Sequence, residues 1–210
     1  MRSRLLAFVS LFACLACRLA AVELVPGQTD GGWPALFASL RAQAPLQASF
    51  EETRYFPFKK TPAVLRGDIR FHPERGLSLH YTSPEDRLLV LDAAGGVLAD
   101  AKGRRRELPS DPRAQGATNA LLHVLRFDLD ELSKNFVIDG TRDGPGWRLA
   151  FTPRPGPLAS VLDPVIVTGL GSAVLTLELR KSDSQRIEIR IGETHARVTF
   201  TGEELARFFR

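Results

Sequence analysis

Between Leu46 and Pro84 the chain alternates apolar and polar positions: Leu65, Gly67, Ile69 and Phe71 fall on one face of a period-two strand, and Arg66, Asp68, Arg70 and His72 on the other. Leu77, Leu79 and Tyr81 repeat the pattern. A sheet built this way has one dry and one wet face, as antiparallel sheets commonly do. Strand-like runs occupy 46–55, 64–72, 76–82, 87–91 and 97–101, with turn residues between them. Upstream, Leu36, Phe37 and Leu40 lie at helical spacing in 33–43, and Pro45 ends that helix.

The period changes at 114–135, where Leu121, Leu122, Leu125, Leu129 and Leu132 are spaced for a helix that breaks near Phe127 and Asp128. Strands resume at 136–141 and 146–152. Pro153, Pro155, Pro157 and Pro164 then impose a loop with room for a short helix. Three further strands follow in the reading: Leu175, Leu177 and Leu179; Ile187, Ile189 and Ile191; and Ala196, Val198 and Phe200, joined by turns at 182–184 and 192–194. Thr201 with Glu204 three residues on is a capping box, so a short helix closes the chain. No βαβ rhythm occurs. The expected architecture is mainly β with α: a large curved antiparallel sheet of about ten or eleven strands, an incomplete barrel whose apolar concave face is covered by helices. A fully closed barrel is the alternative.

The first residues change the picture of charge and compartment. Residues 1–21 have a basic start (Arg2, Arg4) followed by about a dozen apolar residues, too few for the roughly 20 of a spanning helix, and read as a secretory signal cleaved near Ala21. Cys14 and Cys17 each follow an alanine as imperfect lipoboxes, so a lipid-anchored form through Cys17 or Cys14 is the alternative to free export. Cleavage at Ala21 removes both cysteines, leaving no thiolate ligand or nucleophile. It also removes Arg2, Arg4 and Arg18 and no acid, taking the formal charge from +4 to +1. The basic balance is therefore largely leader, and gives no reason to expect a nucleic-acid partner. Residues 22–210 suit one domain.

Candidate chemistry is sparse. No Gly-x-Ser-x-Gly elbow and no His-x-x-x-His spacing occurs among His72, His80, His123 and His195. Gly169-Leu170-Gly171 reads as a turn, and Gly103-Arg104-Arg105-Arg106-Glu107 as a solvated basic loop, with contact to an anionic surface as the sharper reading. Asp128, Asp130 and Glu131 open a helical segment, where acids suit the dipole. The reading is a protein that is not an enzyme, with no catalytic residue, metal or cofactor.

Ala48-Ser49-Phe50-Glu51-Glu52-Thr53-Arg54, Gly67-Asp68-Ile69-Arg70-Phe71 and Leu79-His80-Tyr81-Thr82-Ser83-Pro84, in this order, resemble the first three strands of the LolA/LolB family of lipoprotein carriers. The 121–136 segment is similar to that family's lid helices, and Gly146-Trp147-Arg148-Leu149 followed by Pro153 extends the likeness. The resemblance implies an outer membrane lipoprotein carrier, a monomeric periplasmic chaperone in protein transport. Its half β-barrel would bind acyl chains in a cavity. Its partners would be an acylated lipoprotein or lipid cargo, an inner-membrane donor complex or exporter, and an outer-membrane acceptor. The cavity candidates are Leu65, Ile69, Phe71, Leu77, Leu79, Tyr81, Leu88, Val90, Trp147, Leu149 and Phe151. Two departures stand out: Glu52 replaces a common glutamine, and the arginine that would latch the lid is displaced to Arg75 in His72-Pro73-Glu74-Arg75. The alternative function is a lipoprotein-sensing or membrane-partner-binding module of the same fold.

Overall fold

The computed structural model describes residues 21–27, 31–109 and 111–210. The proposed leader, with Cys14 and Cys17, lies outside the described residues apart from Ala21. Among these described residues twelve strands form one antiparallel sheet: β1 (Val22–Glu23), β2 (Leu46–Tyr55), β3 (Ala63–His72), β4 (Gly76–Ser83), β5 (Arg87–Asp92), β6 (Gly95–Asp100), β7 (Arg105–Glu107), β8 (Phe136–Asp143), β9 (Gly146–Pro153), β10 (Val165–Leu170), β11 (Ala173–Ser182) and β12 (Gln185–Ala196). The order is β1-β8-β9-β10-β11-β12-β2-β3-β4-β5-β6-β7, with β1 and β7 at the edges. The sheet curves without closing, which makes an incomplete barrel. Among the described residues four α-helices accompany it, α1 (Trp33–Arg41), α2 (Pro112–Arg126), α3 (Leu129–Asn135) and α4 (Gly202–Phe208), with one 3-10 turn at Leu158–Ser160 in the proline-rich loop.

The helix break falls where the pattern placed it. Phe127 takes φ 51° between α2 and α3, and Asp128 caps α3 by accepting from the Glu131 amide. The Thr201–Glu204 capping box opens α4.

Four expectations change. β10 was hidden in the proline-flanked loop; it is buried between β9 and β11, and Gly169 belongs to it. The short edge strands β1 and β7 carry too few residues to show a period. The expected turn at 192–194 is a bulge in β12, which keeps β2 as its partner on both sides of it, Ile191 facing Phe50 and Thr194 facing Ala48, and the separate strand expected over Ala196, Val198 and Phe200 does not form, since β12 ends at Ala196 and Phe200 packs on the outer cluster. Lastly, the sheet is dry on both faces at β4–β6. There α4 covers a second apolar cluster of Leu88, Val90, Val97, Ala99, Phe208 and Phe209, separate from the main core.

That outer cluster is held by charge as well as by burial. Arg105 donates to the carbonyls of Ala206, Arg207 and Phe209 at 3.2, 2.8 and 3.3 Å, a cation at the C-terminal end of α4. Arg210 bridges Asp92 and Glu107 at 2.6 and 2.7 Å. The arginine-rich turn is thus partly a helix anchor, which its sequence alone did not show.

Candidate functional site

Antiparallel register decides which side chains share the concave face. Ile69 pairs with Leu79 and Phe71 with Leu77, and these continue to Leu89 and Leu91 on β5. On the other flank Leu177 pairs with Ile189 and Leu179 with Ile187. These residues floor a cavity of about 380 Å³, roofed by Leu121, Val124, Leu125 and Phe127 at the end of α2 and by Leu40 and Ala44 at the end of α1. Its volume lies within the roughly 300–1,000 Å³ of small-molecule sites, which are likewise mainly apolar with a few placed polar groups.

Of the candidates read from sequence, Ile69, Phe71, Leu77, Leu79 and Tyr81 line this cavity. Leu65 packs against the core beside it, and Trp147, Leu149 and Phe151 are buried in the core. That half of the barrel is filled: the Trp33 ring lies against Gly140, and the Phe136 and Phe151 rings meet edge to face at 6.1 Å. Leu88 and Val90 require correction, because they point to the outer face beneath α4. Their neighbours Leu89 and Leu91 line the cavity instead. The β5 run Arg87-Leu88-Leu89-Val90-Leu91 is apolar at both parities, so periodicity cannot orient it, and register with β4 must. Val167, Leu177, Leu179, Ile187, Ile189 and Ile191 are cavity residues that sequence reasoning missed, although the alternation of the last strands had marked most of them as dry.

Arg75 also requires correction. Its guanidinium donates to the Arg210 carbonyl at 3.2 Å, toward the outer-face helix and not the roof. The corresponding tie runs the other way: Arg126, at the end of α2, donates to the Pro73 carbonyl at 3.1 Å and links the roof to the β3–β4 turn.

One polar cluster enters the apolar cavity. Glu52 is 2% exposed; Tyr81 donates to its Oε2 at 2.7 Å and Arg54 to its Oε1. Arg54 Nη2 also lies 3.4 Å from the Tyr81 hydroxyl. Gly67 makes the arrangement possible. It sits between Phe50 and Tyr81 in register, and a Cβ there would meet the His80 carbonyl at 2.0 Å. The two rings meet edge to face across it at 5.4 Å. Burial disfavours the Arg54 charge, but the Glu52 carboxylate more than offsets this and raises its pKa. Burial, followed by the Glu52 charge and hydrogen bond, pushes the Tyr81 phenol well up.

A pH dependence follows. A group whose pKa is raised on folding contributes stability that is complete below its unfolded pKa, near 10 for tyrosine, and lost as pH rises beyond it. Tyr81→Phe is therefore expected to lower stability at neutral pH by about 1.5–3 kcal/mol, the worth of a hydrogen bond to a charged group. It is also expected to flatten the loss of stability above about pH 10. Urea unfolding at several alkaline pH values checks both. An unchanged alkaline slope would show that Tyr81 is not the group responsible.

His80 Nε2 lies 3.1 Å from Asp86, and His72 accepts from the Glu74 amide. Both rings pack near α4, His80 on Phe208 and His72 on Phe209. Gly169 is overlaid by the Trp147 ring, whose indole nitrogen donates to the Gly171 carbonyl at 2.8 Å.

No protein-family model and no curated protein matches the chain. Similar solved structures include the Pseudomonas aeruginosa MucA/MucB complex, at 12% identity and TM-score 0.45, covering 82% of this chain and 59% of that one. Others are a LolA superfamily protein from Nitrosomonas europaea (7% identity, 80% and 94% coverage, TM-score 0.42) and LprF from Mycobacterium bovis (12%, 81% and 98%, TM-score 0.36).

Proposed function

We propose that the protein is a periplasmic carrier that takes acyl chains of lipoproteins or related lipids into the cavity between the concave sheet and α2, and delivers them toward the outer membrane. The observation that carries this reading is the cavity itself. It is walled mainly by Leu, Ile, Val and Phe, yet left open, whereas the apolar cluster on the other side of β4–β6 is closely covered by α4. Burying an acyl chain is favourable by about 0.8 kcal/mol per CH₂. Such a carrier needs a dry concavity and a cover that can move, and no catalytic group. Resemblance of the first three strands to the lipoprotein-carrier family supports the same reading.

The test is binding of a fluorescent palmitoyl probe to the purified protein, with native mass spectrometry of protein taken from the periplasm. Saturable binding, displaced by unlabelled palmitate, is expected. Absence of both probe binding and co-purified lipid, with recovery of a membrane regulator in a pull-down, would favour the sensing-module alternative.

Delivery also requires contact with a bilayer. The β2–β3 turn presents Phe58, 98% exposed, beside exposed Lys59 and Lys60. An apolar tip flanked by cations suits an anionic lipid surface, at about 1 kcal/mol per basic residue. Sedimentation with phosphatidylglycerol vesicles is expected to fall several-fold for Phe58→Asp. Equal sedimentation of the variant would remove this turn from the delivery step.

A further inference from the structure

We infer that the cavity takes amphiphiles whose polar end is a free carboxylate, and that Arg54 receives that end; the inference rests on the carrier reading above and narrows its cargo to unesterified fatty acids, because an acyl chain bound to a lipoprotein as an ester or amide has no carboxylate to offer. Among the described residues that line the cavity, Arg54 is the one cation and Glu52 the one anion. Glu52 is not available to a ligand: it is buried, with one carboxylate oxygen accepting from Arg54 and the other from Tyr81. The Tyr81 proton is likewise committed to Glu52.

What remains open is Arg54, whose side chain keeps 38% exposure. Its Nε is committed to Glu52 and its Nη2 lies near Tyr81, while Nη1 makes no hydrogen bond among the described residues. Guanidinium is donor-only and permanently charged, so the partner it lacks is an oxygen acceptor, and an anionic one forms the stronger bond. An alkylammonium head would be repelled. Glu52 holds the guanidinium in place and, by its own charge, disfavours a dianionic head beside a singly charged carboxylate. The apolar walls take the chain while this fixed donor sets its direction, the usual division of labour in such sites.

Displacement of the palmitoyl probe by palmitate, hexadecanol and hexadecyl phosphate tests the assignment. Wild-type protein is expected to prefer palmitate to hexadecanol by about tenfold or more, the ordinary gain from a charge-assisted hydrogen bond. The Glu52→Gln/Arg54→Gln double variant removes both charges, so neither is stranded in the interior. It is expected to lose the preference for palmitate over hexadecanol. Circular dichroism establishes that it is folded, and Arg54→Lys, which keeps a cation, serves as a second variant expected to retain part of the preference. Equal affinity of wild type for palmitate and hexadecanol overturns the inference, as does a preference that survives in the double variant. Tighter binding of hexadecyl phosphate than palmitate overturns the choice of carboxylate. Binding of none of the three overturns the carrier reading itself, and the head-group assignment with it.

Discussion

Tryptophan in place of both Leu89 and Leu179 is expected to abolish binding of the acyl probe while leaving the protein at least as stable as before. Both leucines line the cavity from different parts of the floor, β5 and β11, and both are only partly buried. The added rings enter existing empty space. Filling an apolar void recovers contacts worth about 24 cal/mol per Å³, so a gain of up to about 1 kcal/mol is expected. A ligand of the same shape then has no room. Were these positions instead part of a tightly filled core, the same change would overpack it and cost about 1–3 kcal/mol. Probe titration and denaturant unfolding on the same samples separate the two. Retained binding together with lowered stability would mean that Leu89 and Leu179 are packing residues and the cavity is not the site.

Phe209→Ala is expected to show the converse, a loss of about 3–5 kcal/mol in unfolding free energy, the usual cost of truncating a buried phenylalanine, with probe affinity unchanged in the folded fraction. Phe209 is 1% exposed and belongs to the outer cluster, its ring 5.5 Å from that of Phe200. It lies on the opposite side of β4–β6 from the cavity floor. Weakened probe binding by fully folded variant would show that α4 and the cavity communicate through the sheet. A loss of stability below about 1 kcal/mol would mean that α4 can leave the outer face without consequence.

The two experiments divide the apolar residues of one sheet into those that hold the fold and those that hold a ligand. Sequence could draw only part of that division. On β3 and β4, polar Arg66, Asp68 and Arg70 alternate with Leu65, Ile69 and Phe71, so the dry parity is visible and the cavity residues Ile69, Phe71, Leu77 and Leu79 follow from it. On β5 both parities are apolar, and the pattern does not show that Leu89 and Leu91 face the cavity while Leu88 and Val90 face α4. On β8 and β9 the dry parity was again legible. Whether Trp147, Leu149 and Phe151 face a void or a filled core depends on how closely the helices and rings approach that half of the sheet, which no local pattern records.

The polar cluster divides in the same way. Glu52 was visible as an odd residue in its strand motif, but its partners were not. Tyr81 lies 29 residues away and reaches it across β3, where Gly67 sits between Phe50 and Tyr81 in register. Arg126 was likewise an ordinary residue near a helix end until the fold brought it to Pro73.

By itself, the sequence of this protein determined the positions of α1, of β2 to β6, β8, β9 and β11 and of the first part of β12, together with the break at Phe127, the capped last helix and the antiparallel class. Each of these is written in residues close together along the chain, through period, caps and turns. Tertiary structure alone decided that β10 joins the sheet, that a second apolar face lies under α4, that α2 roofs an empty space, and that one arginine within it is left with a donor to offer. These depend on register and on volume left unfilled between distant segments, and a linear pattern of apolar residues is the same whether the space they face is packed or open.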